Sequence, residues 1–313
     1  MPMQSNTFIE LRNKFSEKKI SKEEYISSMH NFHKLLFDYS EILKDVNIRS
    51  IDIQKEDVVV TTEEDIKIIL NPDDRRTAAL DILNFGSYEK DEIDMVRRII
   101  KNNFNILDIG ANIGWYTIHL AKMAPEGNVY SFEPIPKTFR SLEKVIILNN
   151  LKNVKLMNFG LSEKEDIIEF FFDSKLSVAA SMRNLYDKQD IEKIKCKVEK
   201  LDIVIERLKI KGNIDFIKCD VEGAELFVIK GAINTLKKNK PIIFIEMLRK
   251  WSSKFDYHPN DIISLLKGIG YNCYYIEANK LREIKKITDK TLSTNFFFLN
   301  PEKHKDILRV ILK

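Results

Sequence analysis

The sequence predicts an α/β fold in which helices cover both faces of a mostly parallel sheet, preceded by a helical and β appendage. From residue 105 to about residue 270, apolar segments of strand length alternate with segments of helical periodicity. Acidic residues close four of the strand segments, namely Asp108, Glu133, Asp220 and Glu246. Because ligands of open α/β sheets bind outside the carboxyl ends of the strands, these carboxylates predict one ligand site at that edge.

Length and composition indicate a globular protein with one main domain and an appendage. We expect the appendage at residues 1–84 and the main domain at residues 85–313. The net charge of +4 is too small for a concentrated basic stripe, which argues against a nucleic-acid partner. No stretch approaches 18 uninterrupted apolar residues and the N-terminus lacks a signal-peptide pattern. We therefore expect a cytoplasmic protein without a transmembrane segment.

The appendage is predicted to hold a long helix followed by two or three strands. Residues 21–24 form a capping box, and an apolar stripe with heptad-like spacing follows it. Such a stripe needs a partner, which could be the chain's own domain, a second copy that makes a homodimer, or a substrate that it caps. Loose alternation over residues 48–70 predicts a small antiparallel sheet. The stripe consists of Tyr25, Met29, Phe32, Leu36, Tyr39 and Leu43.

Two short helices, at residues 73–85 and 92–101, are predicted to lead into the first core strand. Tyr88 and Glu89 lie in the loop between them, where the chain could fold over a bound ligand. Residues 105–133 then have the pattern strand, glycine turn, helix, strand. This unit is typical of nucleotide-binding folds.

The glycine turn and the acid after it suggest how a nucleotide would be held. Gly110 and Gly114 bracket a turn in which backbone can approach a ligand without interference from Cβ atoms. The helix that follows directs free N–H groups and the positive end of its dipole at the ligand. Glu133 lies a little over 20 residues beyond Gly110, where an acidic side chain can accept the hydroxyls of a ribose.

The glycine spacing distinguishes among nucleotides. The segment Asp108-Ile-Gly-Ala-Asn-Ile-Gly114 lacks the G-x-G-x-x-G pattern that seats a pyrophosphate, so a dinucleotide is the weaker candidate. Asp108 would repel a pyrophosphate but suits the ammonium group of S-adenosylmethionine. We therefore favour S-adenosylmethionine. The alternatives are a nicotinamide-dependent oxidoreductase, a non-catalytic interaction protein, or a purely structural turn in which Asp108 caps the helix.

After Glu133, a helix at residues 136–149 and a third strand at 154–158 are predicted. Gly160 and Leu161 follow that strand, where a turn could read an adenine edge. Two further segments, 167–172 and 195–199, suggest an inserted hairpin around a polar loop that could act as a substrate lid. The remaining predicted elements are a helix at 201–208, strands at 214–219 and 242–245, a helix marked by Leu226, Ile229, Ile233 and Leu236, a helix at 260–267, and strands at 271–276 and 295–299.

A second turn with ionisable side chains, after the glycine turn, follows the strand at 214–219. Asp220 and Glu222 lie in this turn, and Glu246 ends the next strand. A carboxylate beside the methionine end of the cofactor could take the proton of an acceptor hydroxyl, and burial would raise its pKa to a useful value. Asp220 is the first choice as base, with Glu222 or Glu246 orienting the acceptor. The alternatives are that Asp220 binds the cofactor or caps a helix, that His258 is the base, or that these carboxylates hold a divalent metal.

These segments together resemble FkbM-type S-adenosylmethionine-dependent methyltransferases over roughly residues 85–300. The resemblance implies a seven-stranded Rossmann-like methyltransferase sheet with an antiparallel last strand, and methyl transfer to a hydroxyl, often of a sugar, glycan or polyketide. It also implies that Gly110, Asn112 and Gly114 cradle the cofactor, beside Ala111 and Trp115 of the same motif, and that Glu133 holds the ribose. The motifs that carry it are Leu-Asp-Ile-Gly-Ala-Asn-Ile-Gly-Trp-Tyr at 107–116, Ser-Phe-Glu-Pro at 131–134, Asp-Phe-Ile-Lys-Cys-Asp-Val-Glu-Gly-Ala-Glu at 215–225 and Pro-Ile-Ile-Phe-Ile-Glu at 241–246.

The acceptor is expected to be a small molecule or a glycan. An amino-directed nucleic-acid methyltransferase would need an Asn/Asp-Pro-Pro-aromatic turn to clasp a flipped base. The turn that begins with Asp220 has the sequence Asp-Val-Glu-Gly instead.

Overall fold

The computed structural model describes residues 8–172, 180–185, 191–210 and 212–312. Within these ranges the helices are α1 Phe8–Ser16, α2 Lys22–Ile42, α3 Ala78–Phe85, α4 Lys90–Ile99, α5 Trp115–Met123, α6 Pro136–Leu148, α7 Leu201–Leu208, α8 Glu225–Gly231, α9 Ile233–Asn239, α10 Arg249–Ser252, α11 Pro259–Lys267 and α12 Lys305–Ile311. The strands are β1 Ile48–Ile53, β2 Val58–Thr62, β3 Lys67–Ile69, β4 Asn105–Ile109, β5 Asn128–Phe132, β6 Val154–Met157, β7 Gly160–Ser162, β8 Asp166–Phe172, β9 Glu192–Lys200, β10 Phe216–Cys219, β11 Ile242–Glu246, β12 Asn272–Glu277, β13 Lys280–Ile284 and β14 Asn295–Leu299.

The main sheet confirms the predicted α/β fold. In the described part of the chain it has eight strands in the order β13-β12-β14-β11-β10-β4-β5-β6. The five strands from β11 to β6 are parallel, and β14 runs antiparallel to β11, as the predicted last strand should. The difference from the expected seven strands is β13, which forms a hairpin with β12. Ala278 and Asn279 make its turn with φ of 50° and 61°, the backbone of a tight hairpin without the glycine that usually signals one.

The core lies on both faces of the main sheet. Successive residues of a strand point to opposite faces, so Ile106 joins one hydrophobic cluster and Leu107 the other. Phe216 and Ile217 of β10 divide in the same way. The sheet is therefore covered on both sides, which leaves the carboxyl ends of its parallel strands as the open edge.

The small sheet of the appendage packs on the same core. Its order is β1-β2-β3 with antiparallel pairing, as predicted. Val60 and Ile68 belong to the hydrophobic cluster that also contains Ile93 and Val96 of α4. The domain boundary after residue 84 stays a prediction.

The long helix α2 is folded as predicted but has no buried residue. Its capping box is present, with the Glu24 amide donating to Ser21 Oγ at 3.1 Å. Helix α1 covers the first half of the predicted stripe, through ring contacts of Phe8 with Phe32 and of Phe15 with Tyr25. In the second half, Leu43 packs against the main hydrophobic cluster. Leu36 and Tyr39 stay open, and further apolar side chains beside them are exposed, namely Leu35, Phe37 and Ile42.

The predicted inserted hairpin is present as β8 and β9, which pair antiparallel and form a third sheet with β7. Most of the loop expected to act as a lid, at residues 173–189, lies outside the described residues. Of its described part, Ser181 pairs with Phe171 through backbone hydrogen bonds. No helix in the described ranges is long and apolar enough to cross a membrane.

Candidate active site

A cleft lies at the carboxyl ends of β4, β5, β10 and β11, and it encloses about 160 Å³. It collects residues from the glycine turn, from the loop before α4, from β7 and from the turn after β10. Segments that are more than 100 residues apart in the chain thus meet at one edge of the sheet. The predicted site residues that line it are Tyr88, Glu89, Gly110, Ala111, Asn112, Trp115, Glu133, Gly160, Leu161, Asp220, Glu222 and Glu246.

Asp108 and Gly114 are not among the residues that line this cleft, and their contact with a cofactor stays a prediction. Asp108 is fully buried behind the cleft wall, where Thr117 Oγ1 donates to its Oδ2 at 2.5 Å. Gly114 precedes α5 with φ of 97°, and a Cβ there would lie 2.7 Å from the Leu142 side chain. Both residues therefore shape the turn from behind.

Position 110 has no room for a side chain, so only glycine fits there. A Cβ on this residue would lie 1.8 Å from the carbonyl oxygen of Asp220, and its φ is 79°. Parallel pairing of β4 with β10 brings their ends this close. At the end of this pairing the Asp220 amide donates to the Ile109 carbonyl at 3.0 Å. The glycine thus allows one strand end to approach its neighbour. Gly110 also lines the cleft, and the approach of a ligand to it stays a prediction.

Glu133 is held at the cleft by backbone hydrogen bonds. Its Oε2 accepts from the Asn112 amide at 3.0 Å and its Oε1 from the Ile135 amide at 2.8 Å. Burial raises the pKa of Glu133 to about 7, although these two hydrogen bonds oppose the shift. Each carboxylate oxygen has two lone pairs and therefore keeps one for a ligand hydroxyl.

Asp220, Glu222 and Glu246 form a compact acidic cluster. One carboxylate oxygen from each lies within 4.8 Å of the other two. Burial raises the pKa of Glu222 and of Glu246 well above the usual value, and the nearby Asp220 charge adds to the effect. Protonation of one carboxyl relieves the repulsion among the three, and a divalent cation could also bind between them.

The turn after β10, which carries Asp220 and Glu222, is held in place by hydrogen bonds with other residues. Glu222 has φ of 53°, an uncommon conformation for a residue with a side chain. Glu225 Oε1 accepts from the Val221 amide at 3.2 Å and from the Gly223 amide at 3.0 Å. Ser181 Oγ donates to the Glu222 carbonyl at 2.7 Å. These contacts stabilise the strained turn and thereby the positions of the Asp220 and Glu222 side chains.

Sequence reasoning missed Lys218 and Tyr116, which also line the cleft. Lys218 lies on β10 and donates to Asp220 Oδ2 at 3.2 Å. A lysine between Ile217 and Cys219 in an otherwise apolar buried strand was the signal available in the sequence. His258, considered as an alternative base, is an exposed N-cap of α11 that accepts from the Asn260 amide, and it does not line the cleft.

The raised pKa of Glu89 predicts a pH dependence of stability. Burial raises the pKa of this carboxyl from 4.5 to about 7. A raised carboxyl pKa means that the folded state binds more protons, so this contribution to stability is complete below pH 4.5 and is lost as the pH rises through 7. Glu89→Gln should therefore melt a few degrees above the wild type at pH 8, and lose this advantage near pH 4.5.

Calorimetric melting curves over this pH range test the effect. Glu143→Gln, on the exposed face of α6, is the control and should follow the wild type at every pH. A melting difference between Glu89→Gln and the wild type that does not vary with pH would contradict the assignment.

Comparison with known proteins identifies the family of this site. A model of the methyltransferase FkbM domain matches residues 108–273, which is more than half of the chain. Methyltransferase 1 of Beauveria bassiana is 25% identical over 142 residues, covering 40% of this chain and 57% of that protein. Methyltransferase sdnD of Sordaria araneosa is 28% identical over 159 residues, covering 42% of this chain and 61% of that protein. The matches thus span about three fifths of the length of these relatives.

Among solved structures, the methyltransferase FkbM from Methylobacillus flagellatus aligns with a TM-score of 0.41 and 16% identity, covering 73% of this chain and 55% of that one. The matched family model contains the glycine turn, Glu133 and the acidic cluster, so it covers the segments on which the resemblance was based. The resemblance is confirmed: the chain belongs to the FkbM methyltransferase family.

Proposed function

We propose that this protein is an S-adenosylmethionine-dependent O-methyltransferase that acts on a hydroxyl of a sugar, glycan or related metabolite. The observation that carries the proposal is the joint placement of Glu133 and the acidic cluster of Asp220, Glu222 and Glu246 in one cleft. In a methyltransferase, Glu133 is suited to bind the ribose of the cofactor, and the acidic cluster is suited to take the proton of the acceptor.

The charge of the cleft favours a cationic cofactor. Five carboxyl groups and a single lysine are found among the described residues that line it, and even with Glu222 and Glu246 protonated the other carboxyls outnumber the lysine. A sulfonium and an ammonium group are attracted to such a site, whereas the pyrophosphate of a nicotinamide dinucleotide is repelled. Glu133 would accept hydrogen bonds from the ribose hydroxyls, Gly160 and Leu161 would bind the adenine, and Asp220 would lie beside the methionine end.

The proposed chemistry is an in-line displacement. The acceptor oxygen attacks the methyl carbon, the carbon–sulfur bond breaks, and its electron pair stays on sulfur to give a neutral thioether. The hydroxyl proton passes to a carboxylate as the carbon–oxygen bond forms. We assign Asp220 as this base. Glu222 and Glu246 have strongly raised pKa values, so they are suited to donate hydrogen bonds that orient the acceptor.

We also propose that α2 forms a homodimer contact. The exposed residues Leu35, Leu36 and Phe37 give its open half an apolar surface in a helix without buried residues. Isolated helices are marginal in water, and most of their stability in proteins comes from packing of an apolar face. A second copy of the same helix would provide such packing.

Cofactor binding tests the assignment of Glu133. Glu133→Gln should weaken the binding of S-adenosylmethionine about 10- to 150-fold, because it loses one charge-assisted hydrogen bond of about 1.5–3 kcal/mol. Isothermal titration calorimetry measures it. Glu199→Gln is the matched control, because Glu199 is equally buried but lies outside the cleft. Unchanged affinity in Glu133→Gln would remove Glu133 from the binding site.

Turnover tests the assignment of Asp220. Asp220→Asn should lower kcat by about 10²- to 10⁴-fold while it changes cofactor affinity by only a few-fold. The assay is transfer of a labelled methyl group to a panel of sugar nucleotides and glycolipid precursors. If the variant loses cofactor binding but keeps kcat at saturation, Asp220 is a cofactor ligand and another group is the base. Loss of wild-type activity in EDTA and its rescue by Mg²⁺ would instead assign the activation to a metal.

Molecular mass tests the homodimer. A Leu36→Glu, Phe37→Glu double variant should elute as a monomer at concentrations where the wild type is a dimer, because two charges would be buried in the interface. Light scattering after size exclusion gives the mass. Ile147→Glu, at an exposed apolar position of α6, is the control and should keep the wild-type mass. A monomeric wild type would overturn this proposal.

A further inference from the structure

Lys218 lies at the junction of the glycine turn and the acidic cluster. It is 5% exposed and extends from β10 into the cleft wall. Its Nζ donates to the Gly110 carbonyl and to Asp220 Oδ2, both at 3.2 Å, and lies 3.9 Å from Asp108 Oδ1. The same Nζ lies 5.0 Å from the centroid of the Tyr116 ring. One ammonium group thus links the two turns that build the site.

The charge on Lys218 is maintained by its neighbours. Burial by itself disfavours a charged lysine, but Asp220 and Asp108 outweigh this effect and raise its pKa above the usual value. Lys218 is also the only basic residue among the described residues that line the cleft, where Glu89, Glu133, Asp220, Glu222 and Glu246 supply the acids. It is therefore a fixed positive charge within an acidic cleft.

Such a charge matters for a reaction that removes positive charge from sulfur. The cofactor carries a sulfonium before methyl transfer, and the product carries a neutral thioether. Carboxylates without a counter-charge would bind the sulfonium strongly in the ground state, and that attraction disappears as the methyl group leaves. Interactions that are stronger in the ground state than in the transition state slow a reaction.

We propose that Lys218 is a positioning and charge-balancing residue that sets how strongly the cleft prefers the sulfonium cofactor over its thioether product. This inference rests on the proposed cofactor. Lys218 acts through Asp220 and through the Gly110 carbonyl, which it holds in place, and it offsets the attraction of the carboxylates for the sulfonium.

The test compares binding of S-adenosylmethionine and S-adenosylhomocysteine, which differ by the methyl group and the charge on sulfur. In Lys218→Met, the ratio of the Kd for S-adenosylhomocysteine to the Kd for S-adenosylmethionine should rise at least about fivefold, because one repulsive unit charge near the sulfonium is removed. Lys218→Gln, which keeps a donor for the Gly110 carbonyl, should give the same rise. Calorimetry at pH 8.5 measures both constants.

A matched control comes from β6 of the same sheet. Lys155 Nζ lies 4.8 Å from the Tyr130 ring centroid and outside the cleft, so Lys155→Met should leave the ratio unchanged. A double-mutant cycle adds a readout that a structural role would not move. Asp220→Asn alone should lower the ratio, and Asp220→Asn with Lys218→Met should return it toward the wild-type value.

If Lys218→Met and Lys218→Gln weaken the binding of both ligands equally, the inference is overturned, because Lys218 then only supports the turn. If neither Lys218 variant folds, Asp220→Asn still decides, since an unchanged ratio in that variant would overturn the charge balance. A wild-type protein that binds neither ligand would instead overturn the proposed cofactor, and this inference with it. The two failures are therefore distinguishable.

Discussion

The contact between Gly110 and the carbonyl of Asp220 is the constraint on which the site depends. With a Cβ at Gly110 only 1.8 Å from that oxygen, a residue with any side chain there would force β4 and β10 apart at their carboxyl ends. The absence of a side chain allows the turn after β4 and the turn after β10 to share one cleft, and Lys218 links them. The glycine turn, Glu133 and the acidic cluster can then face the same ligand.

Assembly of this cleft is energetically unfavourable, and the packing of the rest of the fold offsets that cost. Five carboxylates line it, and burial raises the pKa values of Glu89, Glu133, Glu222 and Glu246. Several turn residues, among them Glu89 and Asn112, adopt positive φ angles. Strain and buried like charge at one edge of a sheet are characteristic of functional sites, since a purely structural edge would not need them. A ligand that brings positive charge would relieve part of this cost.

The sequence predicted the sheet and the acid-bearing strand ends, because alternation of apolar segments and the position of acids at their ends are local patterns. It did not predict β13, because the Ala278–Asn279 turn lacks glycine. It could not place Asp108 and Gly114 behind the cleft, since which face a residue occupies depends on Thr117 and Leu142 from α5 and α6. It also missed Lys218, because Asp108 and Gly110, which lie near its ammonium group, come from β4 and the turn after it. The stripe on α2 shows the same limit, because periodicity indicates an apolar face but not what covers it.

The proposed binding of S-adenosylmethionine in the cleft is tested most directly by the melting temperature of the wild-type protein in the presence of nucleotides. A ligand that binds only the folded state stabilises it by an amount that grows with the ratio of its concentration to its Kd. S-adenosylmethionine and S-adenosylhomocysteine should raise the melting temperature in a concentration-dependent way, whereas NAD⁺ and NADP⁺ should leave it unchanged. A rise with a nicotinamide dinucleotide and none with S-adenosylmethionine would contradict the proposed cofactor.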